Sequence, residues 1–427
     1  MMKRPMMKRP MMKRPITKRT TASSRTSSRA SSEAPTRAVP PRRYYLLSAN
    51  IAALVIVGVV MVLSASSVLS LTNYGSAWYF FQRQLIWTVV AIVLFLIVAR
   101  LDYHQWARLV RPMMAATIVL LVAVLVPGIG IYVSGSRRWV GVGPVTFQPS
   151  ELAKLAILVF AADLLTRRAD ELHDARRVLR PLLLVLGVVG ALVCLEPDLD
   201  STVLIAVIMC AVMVAGGIRV LHLAFLGGTG VAISALLAVA APYRRARVFT
   251  FLNPTADASN AGYQIVQSLI ALGSGGISGV GLGASRAKWL FLPNAHTDFI
   301  FAVIGEELGL IGTMTVLGLF CAFAILGIRV AQHAPDRFGM LLATGVTVWV
   351  VVQAVVNIGA VIGLLPVSGI PLPFVSFGGS SLVVTMIAVG ILTNIARQGS
   401  THVQHQPPAA SRHASASSAR ASQRGPR

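Results

Sequence analysis

The densest set of groups able to do chemistry is Leu292-Pro293-Asn294-Ala295-His296-Thr297-Asp298-Phe299-Ile300-Phe301-Ala302, followed by Gly305-Glu306-Glu307-Leu308-Gly309. Asp298 opens a long apolar run, where a carboxylate can cap a helix or take a proton from a substrate hydroxyl. Glu306 follows two turns later, roughly 12 Å along a helix. That separation is long for the paired carboxylates of glycoside hydrolysis. One base among cations suits a different reaction, transfer from a sugar pyrophosphate, whose leaving group needs its charge neutralised rather than a proton donor.

The cations for such a site stand just upstream, in a stretch over 242–297 that carries Arg244, Arg245, Arg247, Arg286 and Lys288. So long a connection is usually functional. Within it Tyr263, Val266, Leu269 and Ile270 recur at helical spacing, as in an interfacial helix, and a Gly-rich run over 273–283 returns the chain toward the membrane. Two more charged groups fall beside apolar runs. In Gln148-Pro149-Ser150-Glu151-Leu152-Ala153-Lys154, Pro149 can start a helix and Ser150 cap it, leaving Glu151 and Lys154 three apart on one face. That pair is either a self-neutralising bridge or part of a site. In Glu196-Pro197-Asp198-Leu199-Asp200, three carboxylates at a helix turn read better as a helix cap than as a cation site. Ser285-Arg286-Ala287-Lys288 has the spacing of a penicillin-binding protein motif but lacks the companion motifs, and the glycines over 279–283 lack a dinucleotide-site context.

The elements that must position these groups are membrane spans. Of 427 residues 55% are hydrophobic and 12% charged, with a mean hydropathy of +0.72, a balance foreign to soluble domains. Apolar runs long enough to cross about 30 Å of hydrocarbon recur along the whole chain. Read against polar breaks they give about ten spans: Tyr45–Leu69, Gln84–Ala99, Met113–Val133, Leu152–Leu165, Pro181–Leu195, Thr202–Ala215, Leu221–Ala241, Phe299–Val330, Met340–Leu364 and Ser381–Ile395. The eighth is long enough to be tilted or broken. The three cysteines lie in or beside spans and read as small buried hydrophobes.

Charge sets the orientation. Lys and Arg collect over 100–111, 167–180 and 329–337 and at both termini, which places both tails in the cytoplasm and the stretch 242–297 outside, between spans seven and eight. Residues 1–43, with a threefold Met-Met-Lys-Arg-Pro repeat, and residues 398–427 are too polar to bury a core and read as disordered tails around a membrane domain over 44–397. The formal charge of +23 is concentrated where anionic lipid attracts it, so a membrane surface rather than nucleic acid is the expected partner.

Several motifs in order resemble the SEDS (shape, elongation, division and sporulation) family: Gly135-Ser136-Arg137-Arg138-Trp139, Gln148-Pro149-Ser150-Glu151, Glu196-Pro197-Asp198, Tyr263-Gln264-Ile265-Val266-Gln267-Ser268, His296-Thr297-Asp298-Phe299, and Pro373-Phe374-Val375-Ser376-Phe377-Gly378-Gly379-Ser380-Ser381. The resemblance covers roughly 45–397, and Ala295-His296-Thr297-Asp298 with Leu282-Gly283-Ala284-Ser285-Arg286 are more like the division branch than the elongation branch. Asn294 departs from the glutamate usual in the family. The resemblance implies an all-α, ten-span SEDS fold in the bacterial inner membrane. It also implies polymerisation of lipid II at the outer face, and as partners a class B penicillin-binding protein transpeptidase and other division-machinery membrane proteins. Asp298 matches the family's essential aspartate, Glu151 and Lys154 the charged pair of its central cavity, and Arg137, Trp139 and Ser380 are further carry-overs. Arg244, Arg286 and Lys288 would meet the departing pyrophosphate, and a divalent cation, Mg or Mn, could share that load; no other cofactor is implied. A flippase built on Glu151 and Lys154 is the competing reading, but cations and Asp298 gathered on one side favour one-sided chemistry over alternating access. Truncation up to Ala38 should leave lipid II polymerisation within about two-fold of the full chain, because a disordered polybasic tail supplies membrane attraction and no site geometry; loss of turnover in correctly inserted, purified protein would contradict this.

Overall fold

The computed structural model describes residues 41–133, 136–142, 145–172, 175–218 and 262–399, with Gly227, Gly228, Gly230 and Phe251. The expected seventh span, Arg244 and most of both tails lie outside the described residues. The described helices are α1 (Arg42–Tyr74), α2 (Tyr79–Arg100), α3 (Gln105–Leu125), α4 (Pro149–Arg167), α5 (Ala175–Leu195), α6 (Leu199–Ala215), α7 (Tyr263–Ser274), α8 (Ile300–Gln332), α9 (Arg337–Val361) and α10 (Gly379–Gln398). Among the described residues seven helices, α1, α2, α3, α5, α8, α9 and α10, are long and apolar enough to cross a membrane. Of the three expected spans outside this count, the seventh lies outside the described residues, and the other two are excluded by charge and by length. Helix α4 carries Glu151, Lys154, Asp163 and Arg167 within 19 residues, and α6 has only 17 residues.

The apolar side chains sort by partner. Helix α2 leaves Leu85, Ile86, Val89, Val93, Leu96 and Ile97 exposed, a face suited to lipid rather than water. By contrast, 83% of the apolar window of α10 and 61% of that of α9 are buried inside the protein, so these two helices form the centre. Helix α10 packs on α2, α9 on α8, α6 and α4, and α1 on α8.

The expected third span, Met113–Val133, is corrected: α3 stops at Leu125. Pro127 and Gly128, the latter at φ +94°, turn the chain. Gly130–Val133 then forms β1, pairing antiparallel with β2 (Ser136–Val142), which pairs with β3 (Val145–Phe147). The expected cap of α4 is also corrected. Pro149 is indeed the first helical residue, but Gln148 precedes it as N-cap without a side-chain bond, and the Ser150 hydroxyl reaches Asp198 instead, at 3.4 Å. Asp198 does cap a helix, accepting the Ser201 amide at 3.2 Å at the start of α6.

The long α8 is broken. At Gly309 the backbone takes φ +65°, ψ −158°, a conformation open to glycine. The break frees main-chain groups that must be satisfied within the protein. The Gly-rich loop after α7 does this. Val280 and Gly281 donate to the Glu306 and Glu307 carbonyls at 2.9 and 3.0 Å, and the Leu310 and Ile311 amides donate to Gly276 and Ile277 at 2.9 and 3.2 Å.

At the opposite end, His104 bridges Asp102 at 2.9 Å and Asp336 at 2.7 Å, joining the α2–α3 and α8–α9 connections. Burial works against its charged form, but the two carboxylates outweigh it and raise the His104 pKa. Buried Tyr103 donates to Asp336 at 2.9 Å, and Asn394 of α10 donates to the Ala99 carbonyl at 2.9 Å. Both ends of the bundle are therefore tied across its helices.

Helix α1 meets the loop before α10 backbone to backbone. A Cβ on Gly58 would lie 2.2 Å from the Phe374 carbonyl oxygen and 2.8 Å from Val375 Cα. Gly58→Ala should lower stability by about 1–3 kcal/mol, as overpacking does. Gly318→Ala in α8, where nothing lies within 4 Å, should be neutral. Thermal unfolding in micelles checks both, and equal melting temperatures for the two variants would contradict the packing.

Candidate active site

Asp298 sits half-buried in the turn that leads into α8. The helix takes Phe299 as its N-cap, with no side-chain cap bond, so Asp298 stands one residue ahead of the cap position. The turn is fastened residue by residue. Asn357 of α9 donates from Nδ2 to the Asp298 carbonyl and to the Ile370 carbonyl, each at 2.8 Å. Ser376 Oγ donates to the Thr297 carbonyl at 2.5 Å and accepts the Leu372 amide at 2.8 Å. The Phe377 amide donates to the His296 carbonyl at 3.0 Å. The His296 ring packs against Phe80 and Phe377, with centroids 5.0 and 5.6 Å away, and those two rings are 5.3 Å from each other. Burial pushes its pKa down to about 4, so it is neutral at physiological pH and supplies no cation.

The Glu151–Lys154 pair connects to the same frame. Its ion pair measures 2.7 Å, and both side chains are almost wholly buried, so the spacing argument for one helix face is realised. Lys154 Nζ donates to Gln353 Oε1 at 3.3 Å and lies 5.1 Å from the centre of the Trp349 ring, close enough for a cation–π contact. Trp349 Nε1 also donates to Gln353 Oε1, at 2.9 Å, and Gln353 Nε2 donates to the Pro371 carbonyl at 2.9 Å. Trp349, Gln353 and Asn357 thus form one column on α9, four residues apart. It runs from the charged pair, through the loop over 370–377, to the backbone of Asp298. Sequence reasoning passed over these three residues. The available signal was two buried amides at four-residue spacing inside an apolar span.

The remaining candidates divide. Arg137 and Trp139 lie on β2, opposite Tyr132 and Ile131 of β1. Their neighbour Arg138 is the one tied down, donating to the Glu196 carbonyl at 3.1 Å and to the Pro197 carbonyl, with Asp198 at 3.9 Å. Burial, with Asp198 adding and Arg138 opposing, pushes the Glu196 carboxyl up to about 8; at neutral pH it is mostly protonated. Ser380 is buried in the first turn of α10, and its hydroxyl has no hydrogen-bond partner among the described residues. Arg286 is exposed, whereas Lys288 is buried, donates to the Gly283 carbonyl, and lies 3.5 Å from Glu307.

Glu306 and Glu307 are engaged in holding that loop. Glu306 accepts from Ser285 Oγ at 2.5 Å and from the Arg286 and Ala287 amides at 2.9 and 3.2 Å. Glu307 accepts from Ser64 Oγ of α1 at 2.6 and 2.8 Å and from the Ser285 amide at 3.3 Å. These two acids thus tie the loop and α1 to α8, and Asp298 is the carboxylate just ahead of the tip of α8.

Known proteins share this architecture. The FtsW, RodA and SpoVE family model, described as "Cell cycle protein", matches residues 44–401. Stage V sporulation protein E of Bacillus subtilis is 40% identical over 345 residues, 81% of this chain and 94% of that protein. The probable peptidoglycan glycosyltransferase FtsW of Mycobacterium tuberculosis is 44% identical over 359 residues, 84% of this chain and 68% of that protein. Among solved structures, a chain of a peptidoglycan synthase complex, studied for its coordination of polymerization and crosslinking, superposes with a TM-score of 0.68 at 28% identity, covering 83% of this chain and 98% of that one. The rod shape determining protein RodA of Thermus thermophilus gives 0.63 at 27% identity, covering 87% and 100%. With the family model spanning nearly all of the described bundle, this chain belongs to the FtsW/RodA/SpoVE family of polytopic, all-α SEDS membrane proteins.

Proposed function

We infer that this chain is a peptidoglycan glycosyltransferase that polymerises lipid II into glycan strands at the outer face of the plasma membrane during septal wall synthesis. The observation that carries the mechanism is Asp298 at the tip of α8, its main chain gripped by α9 and by the loop over 370–377. In the proposed step the Asp298 carboxylate accepts the proton of the acceptor sugar's 4-hydroxyl. That oxygen forms a bond to the anomeric carbon of the donor chain. The bond from that carbon to the pyrophosphate breaks with inversion, and undecaprenyl pyrophosphate leaves. Arg286, on the loop that returns to Asp298, and Arg244, which precedes it in sequence, are assigned to neutralise the leaving charge. Lys288, turned toward Glu307, acts by holding that loop rather than by facing solvent. Glu151, Lys154, Arg137, Trp139 and Ser380 are assigned to substrate binding. Adding or chelating Mg or Mn tests whether a divalent cation shares the neutralising load, and no step here is routed through one.

The topology follows from charge. Arg100, Arg167, Arg168, Arg329 and Arg397 gather at the end of the bundle opposite Asp298. That end is assigned to the cytoplasm with both termini, and ten spans follow if the span expected over 221–241 crosses as well. The relative solved within a peptidoglycan synthase complex supports a transpeptidase partner, proposed to be a class B penicillin-binding protein.

Two variant sets test these roles. If Glu151 and Lys154 only neutralise each other, Lys154→Ala should cost more stability than Glu151→Gln with Lys154→Met, because it strands a charge at low dielectric. A double variant that is folded yet inactive assigns the pair to substrate instead. Asp298→Asn keeps the shape of the side chain, so it should insert, fold and retain its partner while polymerisation falls by about 10²–10⁴-fold. Transport should be followed in the same vesicles, since a flippase would keep moving lipid. Near-normal glycan chains from the folded Asn variant would overturn the catalytic assignment.

A further inference from the structure

The start of α10 holds hydrogen-bond donors that the protein itself does not use. Gly378 precedes the helix as N-cap and contributes no side-chain bond, and the first turn holds no acid. The first amide that finds a carbonyl is that of Leu382, which donates to Gly378 at 2.9 Å. The amides of Gly379, Ser380 and Ser381 come before it, the orphan donors that every helix start carries. Among the described residues none of the three has an acceptor. In water such groups are solvated. Here Ser380 is 2% and Ser381 9% exposed, and buried donors without partners are costly.

A second group at the same place is also unmatched. The Ser380 hydroxyl is buried and has no hydrogen-bond partner among the described residues. Side chains of a helix lean toward its N-terminus, so this hydroxyl stands on the side of the free amides. Around them the packing is uneven. A Cβ on Gly379 would lie 2.5 Å from Trp87 Cδ1 and Nε1, so the indole closes one side, whereas a Cβ on Gly378 would meet only Ser381 Cβ, at 3.8 Å. The side of Gly378 is therefore open. The same segment is bound to the turn that carries Asp298. Ser376 and Phe377, just ahead of Gly378, donate to the Thr297 and His296 carbonyls, just ahead of Asp298.

Three amides and a hydroxyl, at a helix start that carries about half a positive charge, suit an anion with several oxygens, and phosphate groups above all. We propose that this end of α10 binds the pyrophosphate of the lipid-linked donor, with Ser380 as its side-chain ligand. The inference rests on the polymerase reading, in which Ser380 had only a general place in substrate binding. When the bond to the anomeric carbon breaks, its electron pair passes to a pyrophosphate oxygen. The amides and the hydroxyl hold the added charge by hydrogen bonds and give up no proton. Inversion puts base and leaving group on opposite sides of that carbon, which agrees with a pyrophosphate site beside the Asp298 turn and not on it. A lipid pyrophosphate is preferred to a soluble one because α10 is long and apolar enough to span the membrane, so its first turn stands where a polyprenyl chain would hold the charged group.

The test measures binding of undecaprenyl pyrophosphate and of undecaprenol to the full-length purified protein in micelles, by native mass spectrometry, with lipid II polymerisation assayed alongside. The wild type should hold the pyrophosphate at least about ten-fold more tightly than the alcohol. A hydrogen bond to a charged group is worth about ten-fold or more, so Ser380→Ala should weaken pyrophosphate binding by about that factor and leave undecaprenol binding unchanged. Its melting temperature should not fall, because the hydroxyl makes no bond among the described residues. The maximal polymerisation rate should fall more than KM rises, since the bond strengthens as charge develops on the leaving oxygen. Thr385→Val, five residues on and on another face of α10, removes a second buried hydroxyl that has no partner among the described residues; it should change neither affinity. Equal affinity of the wild type for the two lipids, pyrophosphate binding unchanged in Ser380→Ala, or an equal loss in Thr385→Val overturns the proposal. So does displacement of the lipid by equimolar inorganic pyrophosphate, which would assign the donors to a soluble anion. The polymerase reading falls separately: a protein that makes no glycan yet binds undecaprenyl pyrophosphate through Ser380 keeps this site and loses that activity.

Discussion

A main chain that leaves helical geometry inside a membrane bundle must find all its hydrogen-bond partners within the protein, and this requirement shapes everything around Asp298. Helix α8 faces it twice, once at its tip and once at the break at Gly309. At the break, the loop over 276–281 returns four main-chain bonds. At the tip, Asn357, Ser376 and the Phe377 amide hold the carbonyls of Asp298, Thr297 and His296. The first turns of α8 are thereby clamped from two sides, and the carboxylate at their end inherits a fixed position. Catalysis by positioned charge depends on such preorganisation, because groups that need not move lose little free energy when the reaction occurs.

The same economy explains the buried charges. Lys154 is surrounded by Glu151, Gln353 and the face of Trp349, and Lys288 by Glu307 and the Gly283 carbonyl. Each cation has both a carboxylate and a neutral acceptor, as a charge in a low-dielectric interior requires. These contacts also join elements far apart in sequence: α4 to α9 in the first case, and through Glu307 and Ser64 the upstream loop to α8 and α1 in the second. Removing such a charge would disturb geometry as well as electrostatics.

Much of this was legible in the sequence where hydropathy and charge speak clearly. The apolar runs located the described spans, the spacing over 263–270 announced α7, and Glu151 with Lys154 formed the pair that their three-residue separation allows. The misreadings have physical causes. Ile129, Ile131, Tyr132 and Val133 continue the apolar run of α3, and a short apolar segment cannot by itself be told from a strand; Pro127 and Gly128 were the overlooked stop signal. Formal charge said nothing about whether Lys288 faces solvent or a carboxylate, because its partner Glu307 lies on another element. Gln353 and Asn357 went unremarked since single amides barely lower the hydropathy of a span. The structure shows that they carry the connection between the charged pair and Asp298.

That connection is the centre of the account, and Asn357 is where it can be cut without touching a charge or the carboxylate itself. The direct measurement is the rate of glycan synthesis from purified lipid II by Asn357→Leu, a substitution that keeps the branching at Cγ and removes the amide, with its transpeptidase partner present and its melting temperature recorded. If the α9 column positions Asp298, the maximal rate should fall at least about ten-fold, in line with the sensitivity of catalysis to small misplacements, while the KM for lipid II and partner binding change little. A folded Asn357→Leu protein that polymerises at the wild-type maximal rate would contradict the claim that the column holds the Asp298 carboxylate in place for the proposed step.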